Sequence, residues 1–272
     1  MASITLNDGA KLPVLAFGTG TNLFNKDAEI QVKQAIDAGF VHIDCASFYG
    51  NEESVGQAIK GIPREKLFIT TKVGNKDPRA SLEDSLKALG LDYVDLFLIH
   101  TPIGTPPKEN WPIMEALQAE GKTKSIGVSN FRTQDLEELF KVSKVVPAIN
   151  QIEVHPYCIN SILPLLDLMK KHNIHAACYG PLTSLFREKG GPVDTLVKEY
   201  AEKRGVSEGN VLLRWALQRT GGEIVTTSNK PERLQEILRV PEIEPLTEEE
   251  IKSIEEAGKD KHFRVFMKHM DE

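Results

Sequence analysis

Four side chains of different chemistry, Asp44, Tyr49, Lys72 and His100, stand at the ends of short apolar runs in the first hundred residues. A tyrosine phenol has a pKa of about 10, too high for it to give up its proton readily at neutral pH. A neighbouring ammonium favours the phenolate and lowers that pKa, which makes the tyrosine a usable general acid. Lys72 can supply the ammonium, a buried Asp44 can hold it, and His100 can hydrogen-bond a substrate oxygen and orient it. Together the four describe protonation of an oxygen that is gaining negative charge. Carbonyl reduction needs that chemistry, with the hydride supplied by a nicotinamide.

The elements that must position these groups are legible from periodicity. Eight strand-like runs occur in order, at Leu15–Gly20, Phe40–Ala46, Leu67–Val73, Tyr93–His100, Ser125–Asn130, Ala148–Val154, Ile174–Tyr179 and Glu223–Thr227. Helical patterns alternate with them, as in Leu82, Leu86 and Leu89 or Leu163, Leu166 and Met169. Asp77-Pro78 supplies a cap with proline just inside a helix, Ser207 opens another, and Thr247 with Glu250 makes a capping box. Mostly hydrophobic strands alternating eight times with helices imply a parallel sheet covered by helices. Closed, it is a (β/α)8 TIM barrel, preceded by a hairpin around Asn7-Asp8-Gly9 and carrying two extra helices at roughly 207–218 and 246–257. In such barrels catalytic groups sit at the C-terminal strand ends, which adds Ser129, Asn130, Gln151 and Tyr179 to the first four.

The chain has 272 residues, and about 250 in one domain is usual for this barrel, so residues 1–272 read as a single domain. Hydrophobic residues make up 40% and charged residues 26%, a composition that rules out intrinsic disorder. The net charge of −6 argues against nucleic acid or an anionic membrane as the main partner. Cys45, Cys158 and Cys178 are too few for a disulfide framework or a four-cysteine zinc site. With neither a signal-peptide pattern nor a membrane-length apolar run, the reading is a soluble, cytoplasmic protein, a monomer or weak homodimer.

The residues around the four identify a family. The runs His42-Ile-Asp-Cys-Ala-Ser-Phe-Tyr-Gly-Asn-Glu52, Thr71-Lys72, Leu98-Ile-His100, Ile126-Gly-Val-Ser-Asn-Phe131 and Asn150-Gln-Ile-Glu-Val-His-Pro-Tyr157 resemble the aldo-keto reductases. The resemblance implies an NAD(P)H-dependent oxidoreductase in which Tyr49 is the acid/base, Lys72 lowers its pKa, Asp44 holds the lysine and His100 orients the carbonyl. It implies a dinucleotide bound without the Rossmann fingerprint, since Gly18-Thr-Gly20 lacks the third glycine. Ser129, Asn130 and Gln151 match the carboxamide contacts, and Tyr179 the ring that stacks on the nicotinamide. Gly180, Pro181, Leu182 and Ser184 resemble the pyrophosphate loop, and Gly20, Thr21 and Asn22 add cofactor contacts. Thr227, Ser228, Asn229 and Arg233 occupy the 2′-phosphate grip, and Glu236 matches the adenine contact. The cofactor implied is NADPH (NADP+), with NADH a weaker alternative.

Several positions depart from the family pattern. Thr226-Thr227-Ser228 stands where members commonly read Pro-Lys-Ser, so a lysine expected at the 2′-phosphate is missing, with Lys230 two residues beyond Ser228. Thr101 replaces a tryptophan usual after the histidine, and Asn22 another pocket tryptophan. The segment from Thr101 to Trp111 is short, and so is the tail after Lys261. Asn22, Phe48, Thr101 and Trp111 are the candidate pocket residues, with plain helix packing the alternative for Trp111. A wide, less aromatic pocket resembles the short-loop microbial and fungal members, some of which reduce α-dicarbonyls, ketolactones or β-keto esters.

Two other functions compete. His42 and Asp44 share one strand face and could begin the metal site of a barrel hydrolase, although the other histidines lack convergent positions and no metal is expected. A nucleotide-binding redox sensor with slow turnover would use the same fold but has no need of Tyr49 beside Lys72.

Overall fold

The computed structural model describes residues 2–74 and 77–272. The chain opens with the foreseen hairpin, in which β1 (Ser3–Thr5) pairs antiparallel with β2 (Lys11–Pro13), Ile4 opposite Leu12. Gly9 closes its loop at φ +90°, a conformation that favours glycine.

Eight strands then form a closed parallel barrel: β3 (Leu15–Gly18), β4 (His42–Asp44), β5 (Phe68–Lys72), β6 (Val94–Ile99), β7 (Thr123–Ser129), β8 (Ile149–Glu153), β9 (His175–Tyr179) and β10 (Glu223–Thr226), which pairs back to β3. Almost every strand residue is buried, because helices cover the outside and side chains fill the interior. Leu6 and Leu12 of the hairpin join Phe68, Leu96, Leu98, Ala148, Ile149 and Ala177 in a separate apolar cluster. The hairpin thus plugs the end where the strands start, and the opposite end is left open for chemistry.

The covering helices are α1 (Glu29–Ala38), α2 (Glu52–Ile59), α3 (Pro78–Leu89), α4 (Pro107–Ala119), α5 (Thr133–Phe140), α6 (Ile159–Lys171), α7 (Thr183–Phe186), α8 (Pro192–Arg204), α9 (Glu208–Thr220), α10 (Pro231–Leu238) and α11 (Glu248–Gly258). Their starts use the expected caps. The Asp77 carboxylate accepts from the backbone N–H groups of Arg79 and Ala80, and Ser207 accepts from Asn210. Thr247 and Glu250 form the reciprocal capping box.

Both foreseen extra helices are present, but the layer of one differs. α9 packs on β9 and β10 and completes the last crossover, whereas α8 lies outside it against α9 and α11. The helices additional to the barrel are therefore the short α7, α8 and α11. The reason is burial: α9 buries Val211, Leu212, Leu213, Trp215 and Ala216 over a broad face, a demand only the sheet can meet. Among the described residues, no helix is long and apolar enough to cross a membrane.

Candidate active site

The open end of the barrel gathers the four chemically distinct residues. Asp44 is the last residue of β4 and Lys72 the last of the adjacent β5. Lys72 Nζ donates to Asp44 Oδ1 at 2.6 Å and to the Cys45 carbonyl at 2.9 Å. Tyr49 ends a single 3-10 turn, Ser47–Tyr49, that follows β4 and places its ring centroid 5.1 Å from Lys72 Nζ. His100 follows β6, its ring edge-on to Tyr49 with centroids 5.6 Å apart. Gly20 makes room for the phenol, since a Cβ there would lie 3.1 Å from Tyr49 Cζ.

Electrostatics separate the roles. Burial, the largest single influence, would lower the pKa of Lys72, but the charge and hydrogen bond of Asp44, together with Tyr49 and Cys45, outweigh it and keep the ammonium charged. For Tyr49 the balance falls the other way. Burial raises the phenol above its ordinary range by more than Lys72 lowers it. Lys72 thus acts in the foreseen direction without producing a net lowering, because burial of the phenol outweighs it and the Asp44 charge adds to the rise. The phenol is fully protonated at neutral pH. Burial, and secondarily the Lys72 charge, pull His100 down to about 3, so its imidazole is neutral.

Asn130, just past the end of β7, is the hub of a second group. Its backbone is left-handed, at φ +59°, and its amide N–H donates to the Gln151 carbonyl at 3.0 Å. Its side-chain Nδ2 donates to the His100 carbonyl at 2.9 Å and to Ser129 Oγ at 3.0 Å. Its Oδ1 accepts from the Tyr179 hydroxyl at 2.7 Å. Gln151 lies inside the barrel, with Nε2 on Asp44 Oδ2 at 2.9 Å.

The remaining dinucleotide candidates lie on three neighbouring strand ends, those of β9, β10 and β3. Gly180, at φ +70°, turns the chain out of β9 into Pro181, Leu182 and α7. Ser184 is buried and its hydroxyl has no partner; the Thr227 hydroxyl after β10 is in the same state. Orphaned buried hydroxyls of this kind suit a polar ligand that completes them. Ser228 accepts from the Lys230 backbone at 3.1 Å, while Asn229, Lys230, Arg233 and Glu236 are exposed around the first turns of α10. Two cations and two unpaired hydroxyls fit a phosphorylated dinucleotide. Thr21 and Asn22 sit on the loop after β3, the latter lending its carbonyl to Lys26 Nζ at 3.0 Å.

Of the pocket candidates, Phe48 is 52% exposed beside His100, its ring 6.3 Å away. Thr101 orders its own loop, accepting from the Ile103 N–H at 3.3 Å and from the Thr105 hydroxyl. Trp111 is 0% exposed in α4, and its indole donates to the Val145 carbonyl at 3.0 Å. It belongs to the helix layer and not to the mouth, because its face of α4 is apolar and turned inward.

Sequence reasoning missed three contributors. Phe24 packs on Phe48, centroids 5.4 Å apart, and on Tyr49 at 6.5 Å. Asn51 is buried and donates to the carbonyls of Thr19 and Leu23, tying the first loop to the second. The C-terminal segment, although short, reaches the site. Glu153 accepts from the backbone of Val265 at 3.1 Å and of Phe266 at 2.9 Å, and Phe266 meets Tyr179 edge-on. His269 Nε2 donates to the Asn130 carbonyl at 3.0 Å. A tail without periodicity carries no such signal, but the acidic residue within Asn150–Tyr157 was one.

The side chains foreseen as the start of a metal site are committed elsewhere. His42 holds Glu223 at 2.9 Å and Thr70 at 2.8 Å, and Asp44 holds Lys72 and Gln151.

Comparison with known proteins agrees with this geometry. A model of the aldo/keto reductase family matches residues 15–259. The NAD/NADP-dependent indole-3-acetaldehyde reductase of Schizosaccharomyces pombe is 45% identical, the alignment covering 97% of this chain and 98% of that protein. Aldehyde reductase YPR1 of Saccharomyces cerevisiae is 38% identical over 95% of this chain and 91% of its own. The crystal structure of an aldo/keto reductase from Brucella melitensis superposes with a TM-score of 0.82 at 38% identity, covering 94% of this chain and 99% of that one.

Proposed function

The chain belongs to the aldo/keto reductase family, an NAD(P)H-dependent oxidoreductase acting on small carbonyl compounds, and on that premise we propose an NADPH-dependent reductase with Tyr49 as its general acid. The observation that carries the reading is the convergence of Asp44, Lys72, Tyr49 and His100 at three strand ends, with Lys72 Nζ 2.6 Å from Asp44 and 5.1 Å from the Tyr49 ring. A bound nicotinamide would supply the hydride. The chain's own residues supply the rest. Neutral His100 donates a hydrogen bond to the substrate oxygen and orients it. Tyr49 passes its proton to that oxygen as negative charge develops there. The phenolate left behind faces the Lys72 ammonium, which Asp44 holds charged and in place, so the proton transfer is favoured by an electrostatic arrangement present beforehand.

Ser129, Asn130, Gln151 and Tyr179 would receive the nicotinamide end. Gly20, Thr21, Asn22, Gly180, Pro181, Leu182 and Ser184 would line its path to Thr227, Ser228, Asn229, Arg233 and Glu236. Without a lysine at Thr227, one 2′-phosphate charge contact is absent, which supports NADH as a usable second cofactor, while the nearby Arg233 and Lys230 support NADPH as the better one. The apolar rim of Phe24 and Phe48 favours substrates with a hydrophobic flank, and Asn22 and Thr101 in place of tryptophans support α-dicarbonyls, ketolactones and β-keto esters. An aryl acetaldehyde, the class in the name of the S. pombe relative, suits the same rim.

The test is loss of nicotinamide absorbance with NADPH and, separately, NADH, across those four classes. Tyr49→Phe should abolish turnover while leaving cofactor affinity nearly unchanged. A Tyr49→Phe enzyme that still turns over would remove the tyrosine from the acid role.

A further inference from the structure

Gln151 stands on β8, four strands from β4 in either direction round the barrel, so its bond to Asp44 spans the barrel interior. Both residues are buried, each 2% exposed. Asp44 divides its two oxygens between them: Oδ1 takes the Lys72 ammonium at 2.6 Å and Oδ2 takes the Gln151 amide at 2.9 Å. The Gln151 backbone carbonyl in turn accepts from Ser129 Oγ at 2.7 Å and from the Asn130 N–H at 3.0 Å. One residue therefore joins the group that faces the nicotinamide to the group that holds the proton.

We infer that Gln151 is a positioning residue for proton transfer, acting on Tyr49 through Asp44 and Lys72. The inference rests on Tyr49 being the acid. A neutral donor on Oδ2 fixes the plane of the carboxylate and draws part of its charge away from Lys72. More of the ammonium's field then reaches the phenol, and the phenolate formed in the reaction is better stabilised. Without that donor the full carboxylate charge bears on Lys72 and Tyr49, the phenol holds its proton more tightly, and proton donation slows. The titratable groups surrounding the phenol are Lys72 of β5, Asp44 and Cys45 at the end of β4, His100 after β6 and Tyr179 of β9, with Glu52 of α2 behind Cys45. Of these, only Asp44 touches Gln151 among the bonds of the described residues.

The experiment compares the full-length protein with Gln151→Leu and Gln151→Glu. Titration of the Tyr49 phenol is followed by NMR on ring-labelled tyrosine without cofactor, the Tyr49→Phe spectrum providing the assignment. With NADPH and carbonyl substrate, kcat is measured against pH. In Gln151→Leu the phenol titration should rise by about one pH unit and kcat fall about tenfold, the size of one charged hydrogen bond. In Gln151→Glu the protonated acid can still donate to Asp44, so activity should be kept at low pH and lost as the new carboxyl ionises, adding a limb absent from the wild type. Phenol titrations that coincide with wild type in both variants would overturn the inference, even if cofactor affinity dropped, because that leaves Gln151 a cofactor contact alone. Should the leucine variant fail to fold, the glutamate variant decides by the presence or absence of its added limb. Turnover surviving in Tyr49→Phe would sink the acid assignment itself, whereas an inactive Tyr49→Phe with unmoved Gln151 variants removes only the role of Gln151.

Discussion

Phe266, six residues from the end of the chain, meets the Tyr179 ring edge-on, with centroids 5.8 Å apart and planes at 69°. The contact is held from beneath, since Glu153 at the end of β8 takes the N–H groups of Val265 and Phe266 on separate carboxylate oxygens. Arg264 adds a bond to Ser161 at 3.1 Å and one to Asp271 at 2.7 Å. The tail is thereby part of the wall beside Tyr179 and not a loose end.

Glu153→Gln tests that anchorage. The amide offers one acceptor where the carboxylate offers two, and its NH2 faces a backbone N–H that is left buried and unpaired. We expect a loss of about 1–3 kcal/mol in stability, read as a lower urea midpoint with an unchanged slope. A midpoint equal to wild type would mean that the tail holds its place without Glu153.

His100 sets a pH dependence whose sign follows from its depressed pKa. In the folded chain the ring titrates at about 3, against 6.5 for an ordinary histidine, so the unfolded chain binds the extra proton between those values. Stability should therefore be complete above about pH 6.5 and decline as the pH falls towards about 3. His100 ring resonances should show no titration between about pH 5 and about pH 8. A midpoint near 6 would contradict a neutral, half-buried hydrogen-bond donor near Lys72.

Arg233 should separate the two cofactors. It is exposed in the first turn of α10, where a 2′-phosphate would be met by its guanidinium fork. Arg233→Ala should weaken NADPH binding about tenfold or more and leave NADH binding nearly unchanged, measured by fluorescence titration. Equal losses for both would remove Arg233 from that role.

Much of the architecture was legible in local sequence because local physics sets it. Apolar runs of strand length, Asp77-Pro78, Ser207, and the Thr247 and Glu250 pair each act on neighbours within a few residues, and all reappear as strands or caps. The strand-end rule brought Asp44, Lys72 and His100 to one end of the barrel before any coordinates, because a parallel barrel leaves only that end for them. The layer of α9, the burial of Trp111 and the reach of the tail were not legible, since each depends on which surface another element has already occupied.

Sequence alone therefore determined the barrel and singled out Asp44, Tyr49, Lys72 and His100 as candidates, both consequences of periodicity and residue type. Only the tertiary structure decided how those side chains are charged and joined. The net pKa of Tyr49 depends on how deeply the phenol is enclosed, and on how far Asp44 has already neutralised Lys72. The bond between Gln151 and Asp44 links residues 107 apart in the chain. Neither desolvation nor a contact across the barrel exists until the strands close.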